Sequence, residues 1–164
     1  MDALIALKTR RSVRAYRPYP VPEDLVADIV DCGRLAATAR NVQPWEFVVI
    51  TAAGIRRQLA DLIDTGRFIA DAPVCLVVFC RDTKYFLEDG CAAIQNMLVA
   101  AQAHGLGSCW VAGDKKPYAV TVAQLLGVPP SHKLIGLVAL GVAAETPLLP
   151  PKRPLHDVLH RERF

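Results

Sequence analysis

The chain has 164 residues, 52% of them apolar, and a formal net charge of +3. This length favours a single domain over residues 1–164 and is enough to bury a sizeable core. The mild basic balance, without a long Lys/Arg run, argues against a nucleic-acid-binding protein, which needs a denser basic face interleaved with aromatic residues.

The high apolar content has two explanations. One is a core rich in Ala and Val, and the other is a large subunit interface, since obligate homodimers bury core-like surface. We favour the interface, and therefore expect a homodimer.

Cysteine usage and the N-terminus predict a cytoplasmic protein without a membrane span. Five cysteines occur, an odd number with no CxxC spacing, and several lie in apolar runs, which is typical of reduced thiols. In MDALIALKTRRS the acidic residue precedes the apolar run and the basic residues follow it, the reverse of a secretory signal. No apolar run reaches the roughly 20 residues that a transmembrane helix needs.

The N-terminal half predicts a short helix over 3–9, an extended connector through three prolines, and a helix that starts at Pro22 with Glu23 and Asp24 in its first turn. The apolar face of that helix is Val26, Ile29, Val30, Gly33 and Ala37. EFVVIT predicts a strand, and Thr51 is the predicted N-cap of the next helix. The apolar positions of this next helix are Ile55, Leu59, Leu62 and Ile63.

In the C-terminal half, the continuous apolar run VCLVVFC predicts a buried strand. The longest predicted helix runs from about Phe86 to His104, is apolar on more than one face and is capped by Gly105. SCWVA and KLIGLVALG predict two more strands, with the helix YAVTVAQLLG between them. These elements indicate one α+β domain in which helices flank a sheet.

The Pro-rich tail PLLPPKRPLHDVLHRERF ends in a predicted short helix and is too apolar for simple disorder. We expect it to dock on another surface, such as a partner subunit. Its apolar residues are Leu148, Leu149, Leu155, Val158 and Leu159.

Arg10, Arg11, Ser12 and Arg14 place three guanidinium groups and one hydroxyl within five residues. Such a group can grip a phosphate, because Arg offers forked, charge-assisted donors. The alternative is a helix C-terminus carrying cations that suit its dipole. Arg153, held between prolines, is a second candidate cation, and its alternative is a solvated tail charge.

Two further segments suit a flat ligand. NVQPW, residues 41–45, offers amide groups for the edge of a heterocycle and an indole face, the alternative being a turn followed by a core Trp. In GLGSCWVAG, residues 105–113, the small residues Ala112 and Gly113 would let backbone N–H groups approach a planar ligand. The dinucleotide fingerprint fails, because the third Gly is missing and the segment follows a helix.

No metal site is predicted. His156 and His160 lie four apart but lack the intervening Glu of HExxH. Neither GxSxG nor a P-loop occurs, and Ser12 has no evident base nearby in the sequence.

Four segments in order resemble the nitroreductase family of FMN-dependent oxidoreductases. TRRSVRAY resembles the family's R-R-S-x-R-x-F/Y, and RLAATARNVQPWEFVVI resembles its stretch ending in N-x-Q-P-W-x-F. CAAIQNMLVAAQAHGLGSCWV resembles its central helix and the following G-L/I-G-S/T-x-W, and PPKRPLHDVLH resembles its C-terminal R-x-P-L-x-E/D-V/I. The likeness covers nearly the whole chain.

The resemblance implies a central, mostly antiparallel sheet flanked by helices, with a C-terminal extension docking on the partner of a homodimer. It implies that FMN lies at the subunit interface, contacted by Thr38 and Asn41 of one subunit and held mainly by the other. The residues implied for the main FMN site are Arg10, Arg11, Ser12 and Arg153 for the phosphate, Arg14 for the pyrimidine end, the backbone of Ala112 and Gly113 for N5 and O4, and Trp110.

The chain also departs from the family pattern. Ala37 and Thr38 replace the family's Pro-Ser, which keeps a hydroxyl but loses the proline. Only RDTKYFLEDG stands where many members have a long insertion before the central helix, so the pocket should be more open, or narrowed by Tyr85 and Phe86. Arg67 is a further candidate for contact with the flavin.

The implied function is transfer of electrons from NAD(P)H, a transient co-substrate, through bound FMN to a nitroaromatic, quinone or enone by a ping-pong mechanism, with no dedicated catalytic side chain. The alternatives are a specialised flavoenzyme for dehalogenation or flavin fragmentation, a flavin-binding module without turnover, and an interaction domain without a ligand.

Overall fold

A computed structural model describes residues 1–147 and 150–164 of the chain. Its α-helices are α1 (Ala3–Thr9), α2 (Glu23–Arg34), α3 (Ala53–Leu62), α4 (Phe86–Ala103) and α5 (Ala119–Leu125). Its strands are β1 (Trp45–Ile50), β2 (Val74–Arg81), β3 (Gly107–Ala112) and β4 (His132–Gly141). Short 3₁₀ turns lie at Ala39–Asn41, Asp64–Ile69 and Leu155–Asp157.

The four strands form one sheet in the order β1-β2-β4-β3, and every neighbouring pair is antiparallel. An isolated parallel bridge joins Ser12 to Ser108 at the outer edge of β3. The expected α+β fold with a mostly antiparallel sheet is therefore confirmed, and β1 and β3 are its two edges.

Helices cover both faces of the sheet, which explains why β2 is apolar and buried from Val74 to Cys80. Alternate residues of β2 enter two cores: Leu76 and Val78 pack on the side of α2 and α4, whereas Val77 and Phe79 pack on the side of α3 and α5. The two cores share the sheet as a common wall.

A β-bulge interrupts the pairing of the two central strands. Val78 pairs with Gly136 and Phe79 with Leu134, so Ile135 is the extra residue of β4. The carbonyl of Ile135 instead accepts a hydrogen bond from the N–H of Gly113 at 3.1 Å. A bulge re-aims the backbone locally, and here it does so beside the end of β3.

The connector after α1 runs along one end of the sheet. The Val13 N–H donates to the Ser108 carbonyl at 3.0 Å, and Tyr16 forms a bridge with Ala143. The buried Tyr16 hydroxyl donates to the Val13 carbonyl at 2.6 Å, and burial raises the pKa of this phenol. These contacts fix the Arg-rich segment against the outer edge of β3.

Element boundaries differ from the sequence expectations at three places. The N-cap of α3 is Ala52, which makes no side-chain capping bond, so the predicted Thr51 cap is wrong. Helix α2 ends at Arg34 and leaves Ala37 outside it. The short helix predicted in the tail is a 3₁₀ turn at Leu155–Asp157, while Leu148 and Leu149 lie outside the described residues.

None of the described helices is long and apolar enough to cross a membrane.

Candidate functional site

A cationic cavity of about 480 Å³ lies beside the start of β3. Its walls come from both ends of the chain, with Arg10 and Ser12 on one side and Glu145 and Lys152 on the other. Arg11 and Arg14 also line it. The N-terminal residues predicted to bind phosphate are thus brought together, and Lys152 is an additional cation that sequence reasoning missed in favour of its neighbour Arg153.

Arg11 has two roles in this wall. Its Nη1 donates to the carbonyls of Lys8 at 3.0 Å and Arg10 at 2.7 Å, so the residue satisfies the C-terminal end of α1. Its Nε is buried and has no hydrogen-bond partner among the described residues. Arg11 therefore partly serves to satisfy the carbonyls at the end of α1, as the alternative explanation of the arginine cluster expected. Its buried Nε–H is still available to a ligand.

The pKa of the Cys109 thiol is influenced by the cations at this edge of the sheet. Burial raises its pKa, whereas the guanidinium of Arg14, a hydrogen bond from Ser12 and the guanidinium of Arg10 act in the opposite direction. Both cations are therefore close enough to influence one atom of β3. A negatively charged ligand group in the cavity would meet the same positive field.

The outer edge of β3 continues from this cavity toward Ala112. Because the Gly113 N–H donates inward to β4, antiparallel alternation turns the backbone groups of Trp110 and Ala112 outward. The Ala112 carbonyl already accepts the Tyr118 hydroxyl, which leaves its N–H as the group presented at the edge. Ser108 and Ala112 are roughly 13 Å apart along the strand.

Ala112 and Gly113 therefore differ in what they can offer a ligand. The N–H of Ala112 faces the open edge of β3, where a ligand could reach it, but the N–H of Gly113 donates to the Ile135 carbonyl. A Cβ at position 113 would lie 2.5 Å from Leu134 Cγ and 2.9 Å from the Gly136 nitrogen. The glycine is required by the close passage of β4, so we retain only Ala112 as a candidate donor.

Two side chains flank this edge. The guanidinium carbon of Arg14 lies 6.0 Å from the centroid of the Phe68 ring, within reach of a cation–π contact. Trp110 is half-buried, and its Nε1 is buried without a partner among the described residues. The indole lies across Gly136, where a Cβ would be 2.4 Å from Nε1.

The turn over residues 38–43 is held by a buried carboxylate. The Thr38 hydroxyl and the Ala39 N–H each donate to Asp89, both at 2.9 Å. The Gln43 N–H donates to the Thr38 hydroxyl at 3.2 Å, which closes the turn. Asp89, which sequence reasoning did not single out, lies in the first turn of α4.

This turn has an unusual backbone. Arg40, Asn41 and Gln43 have φ values of 55°, 56° and 49°, in the left-handed region. For residues with a Cβ this region costs on the order of 1–3 kcal/mol each, so the conformation persists only where other contacts determine it. Trp45, directly after the turn, is buried in the core, which matches the ordinary explanation of a turn followed by a core Trp.

Within one chain the turn and the cationic cavity lie far apart. The turn leads into β1 and the cavity adjoins β3, and these are opposite edges of the sheet, roughly 14 Å apart across three strand spacings. The turn also contacts α4 at Asp89, whereas the cationic segment approaches it at Gln102, about 20 Å farther along the helix.

Three other predicted residues do not reach the cavity. Arg153 Nη2 donates to the Asp157 carbonyl at 2.7 Å within the tail. Arg67 is paired with Asp64 at 3.1 Å on the surface. Tyr85, the N-cap residue of α4, is exposed and has the Lys84 ammonium 5.2 Å from its ring centroid, beside the turn.

A larger hollow of about 750 Å³ lies farther along the connector and is lined by Tyr16, Arg56 and Asp71 among others; Arg14 lines both cavities. Its Arg56 guanidinium is bonded to the carbonyls of Ala70 and Ala72, so it holds the loop before β2. The smaller cavity, with more unengaged cationic groups and the open strand edge, is the better candidate site. Across the described residues, no group of three or more His, Cys, Asp or Glu side chains could hold a metal ion.

Comparison with known proteins identifies the family of this chain. The model of the nitroreductase family matches residues 7–65 and 64–142. A candidate NADH dehydrogenase/NAD(P)H nitroreductase of Methanothermobacter thermautotrophicus is 32% identical over 153 residues, covering 90% of this chain and 80% of that protein.

Solved structures share the fold. A candidate NADH dehydrogenase/NAD(P)H nitroreductase from Parabacteroides distasonis superposes with a TM-score of 0.93 at 24% identity, covering 99% of this chain and 98% of that one. A candidate nitroreductase from Desulfovibrio desulfuricans, solved in complex with FMN, has a TM-score of 0.87 and 30% identity over 100% of this chain and 98% of its own. The chain belongs to the nitroreductase family.

Proposed function

We propose that this protein is an FMN-dependent oxidoreductase that uses NAD(P)H. The observation that carries the proposal is the cationic cavity at the edge of β3, where Arg10, Ser12 and Lys152 surround space for an anion. The buried Nε of Arg11, which has no hydrogen-bond partner within residues 1–147 and 150–164, adds a further donor to the same wall. Charge-assisted donors of this kind are the groups that bind a phosphate.

FMN, when bound, would supply electron transfer from NAD(P)H to a small oxidised acceptor, such as a nitroaromatic, quinone or enone, in ping-pong order. The protein supplies position and field. Arg10, Ser12 and Lys152 would hold the phosphate, and the Ala112 N–H would donate to an acceptor atom at the ring edge. Arg14 would favour negative charge at the pyrimidine end, because a fixed cation in a partly dry site stabilises an anion strongly.

The proposed site is shared between two copies of one domain. Thr38 and Asn41 of the second copy would complete it, since in a single chain they lie at the opposite sheet edge. Exposed apolar side chains support a homodimer: α1 exposes Leu4, Ile5 and Leu7, and the tail exposes Leu155, Val158 and Leu159. We propose that the tail packs on the partner. The cytoplasmic location remains a prediction, with which five free cysteines agree.

The phosphate assignment is tested by the double variant Arg10→Ala/Ser12→Ala. Each lost charge-assisted bond is worth about 1.5–3 kcal/mol, so FMN affinity should fall by about a hundredfold or more. Affinity is measured by quenching of flavin fluorescence. Arg57→Ala, which removes an exposed arginine of α3, is the matched control and should bind FMN as the wild type does. A double variant that purifies as yellow as the wild type, with equal affinity, contradicts the assignment.

Turnover separates the enzyme from a flavin-binding module. The short segment before α4 is the feature that permits a module, because it builds little of a substrate mouth. Steady-state oxidation of NADH and NADPH is measured with menadione and with nitrofurazone as acceptors. We expect turnover with at least one pair. Tight FMN binding without any turnover would favour the module.

A further inference from the structure

Asp89 is a buried carboxylate whose contacts serve one turn. The residue is 5% exposed, and its two oxygens accept from the Thr38 hydroxyl and the Ala39 N–H at 2.9 Å each. In the part of the chain that the structure describes, Asp89 has no ion pair with a Lys, Arg or His side chain. Its charge is balanced by these two donors and by its place in the first turn of α4, where the helix dipole favours an anion.

The hydrogen-bond network extends from Thr38 through Gln43 to Asn41. The Gln43 N–H donates to the Thr38 hydroxyl, and Gln43 Nε2 donates to Asn41 Oδ1 at 2.9 Å. This bond uses the amide oxygen of Asn41, whereas the NH₂ group of this exposed side chain donates no hydrogen bond within the described part of the chain and is free to donate to a ligand. An NH₂ group recognises a hydrogen-bond acceptor, such as a carbonyl oxygen or an unprotonated ring nitrogen.

We propose that Asp89 is a positioning residue of the flavin site: through Thr38 and Ala39 it fixes the left-handed turn that presents the Asn41 amide, as a donor, to FMN held by the partner subunit. This rests on the proposed function. Asp89 itself does not touch the ligand. It determines the conformation of three residues with positive φ, Arg40, Asn41 and Gln43, that would not keep this shape unaided.

The test compares Asp89→Asn with wild type and with Asp82→Asn. Asp82 is a matched control, because its carboxylate pairs with the Lys133 ammonium at 3.4 Å on the surface and has no other side-chain contact of this kind in the described ranges. Affinity for FMN is measured by quenching of flavin fluorescence, and the geometry of the bound ring by circular dichroism in the visible flavin bands. We expect Asp89→Asn to bind FMN about tenfold more weakly, with an altered visible spectrum. Asp82→Asn should match wild type in both.

A second pair covers the case in which Asp89→Asn does not fold. Thr38→Val removes the hydroxyl that links Asp89 to Gln43, whereas Thr38→Ser retains it. We expect Thr38→Ser to bind FMN more tightly than Thr38→Val and to keep more of the wild-type visible spectrum. Equal losses in the two variants overturn the proposal.

The outcomes also separate this proposal from the proposed function. Wild-type protein that binds no FMN overturns both. Wild type that binds FMN, with a folded Asp89→Asn of unchanged affinity and visible spectrum, overturns the role of Asp89 alone.

Discussion

Gly113 was a candidate for ligand binding, but close packing against β4 is enough to explain why position 113 is a glycine. Since a methyl group there would meet the backbone of β4 at 2.9 Å, Gly113→Ala should lower the free energy of unfolding by about 1–3 kcal/mol. Gly54, in α3, has open space where a Cβ would lie, with nothing within 4 Å, so Gly54→Ala should raise it by up to about 1 kcal/mol. Urea unfolding of both variants measures the change in the free energy of unfolding, which should be negative for Gly113→Ala and positive for Gly54→Ala. A Gly113→Ala protein with the same free energy of unfolding as wild type contradicts the close contact.

The buried thiol of Cys75 should make the folded protein less stable at alkaline pH. Burial raises the pKa of its thiol from 9.0 to about 12. The folded state holds the thiol proton more tightly than the unfolded state, so the stabilisation is complete below pH 9.0 and is lost as pH rises through about 12. The slope is at most about 1.4 kcal/mol per pH unit for one group.

Cys75→Ala should therefore reduce the fall in stability between about pH 8 and about pH 11, measured by urea unfolding at each pH. The burial-raised pKa values of Cys80 and Tyr16 have the same sign, so part of the slope should remain. An unchanged slope in Cys75→Ala contradicts the assignment to this thiol.

At the scale of elements, the start of α3 offers a way to stabilise the protein. Ala52 has the extended backbone of an N-cap, with φ −67° and ψ 115°, but no side chain that can accept a hydrogen bond. Ala52→Ser should add that acceptor and stabilise the fold by about 0.5–2 kcal/mol. Thr51→Ala is the control and should change stability little, because Thr51 is not the cap. Thermal unfolding of the two variants decides which residue caps the helix.

Most elements could be predicted because their signals are local. The apolar run of β2 and the many apolar faces of α4 follow from burial between layers, and Gly105, with φ 76°, ends α4 as predicted. The predicted cap of α3 is wrong by one residue, since Thr51 has a suitable side chain but Ala52 has the backbone position. Propensity cannot distinguish these two without the path of the chain.

The site was predictable only in part, because several of its residues are defined by partners distant in sequence. The spacing of Arg10 and Ser12 in the sequence is enough to make them candidates. The roles proposed for Asp89 and Lys152 depend on contacts across the fold, and a single carboxylate or lysine carries no local signal. The inward bond of Gly113 depends on the register of β3 against β4 and on the bulge at Ile135.

In the whole molecule, the turn and the cavity lie at opposite edges of the sheet, so a dimer made from two different variant chains should contain two unlike pockets. Each proposed site draws its cationic half from one chain and its amide half from the other. A chain carrying Arg10→Ala/Ser12→Ala and a chain carrying Asn41→Ala would pair into a heterodimer with one doubly damaged pocket and one intact pocket. Random pairing of equal amounts makes about half of the dimers heterodimers, so two preparations that are each deficient in flavin should recover about a quarter of the normal flavin content when unfolded together, refolded and titrated. Failure to complement would mean that each chain builds its pocket alone.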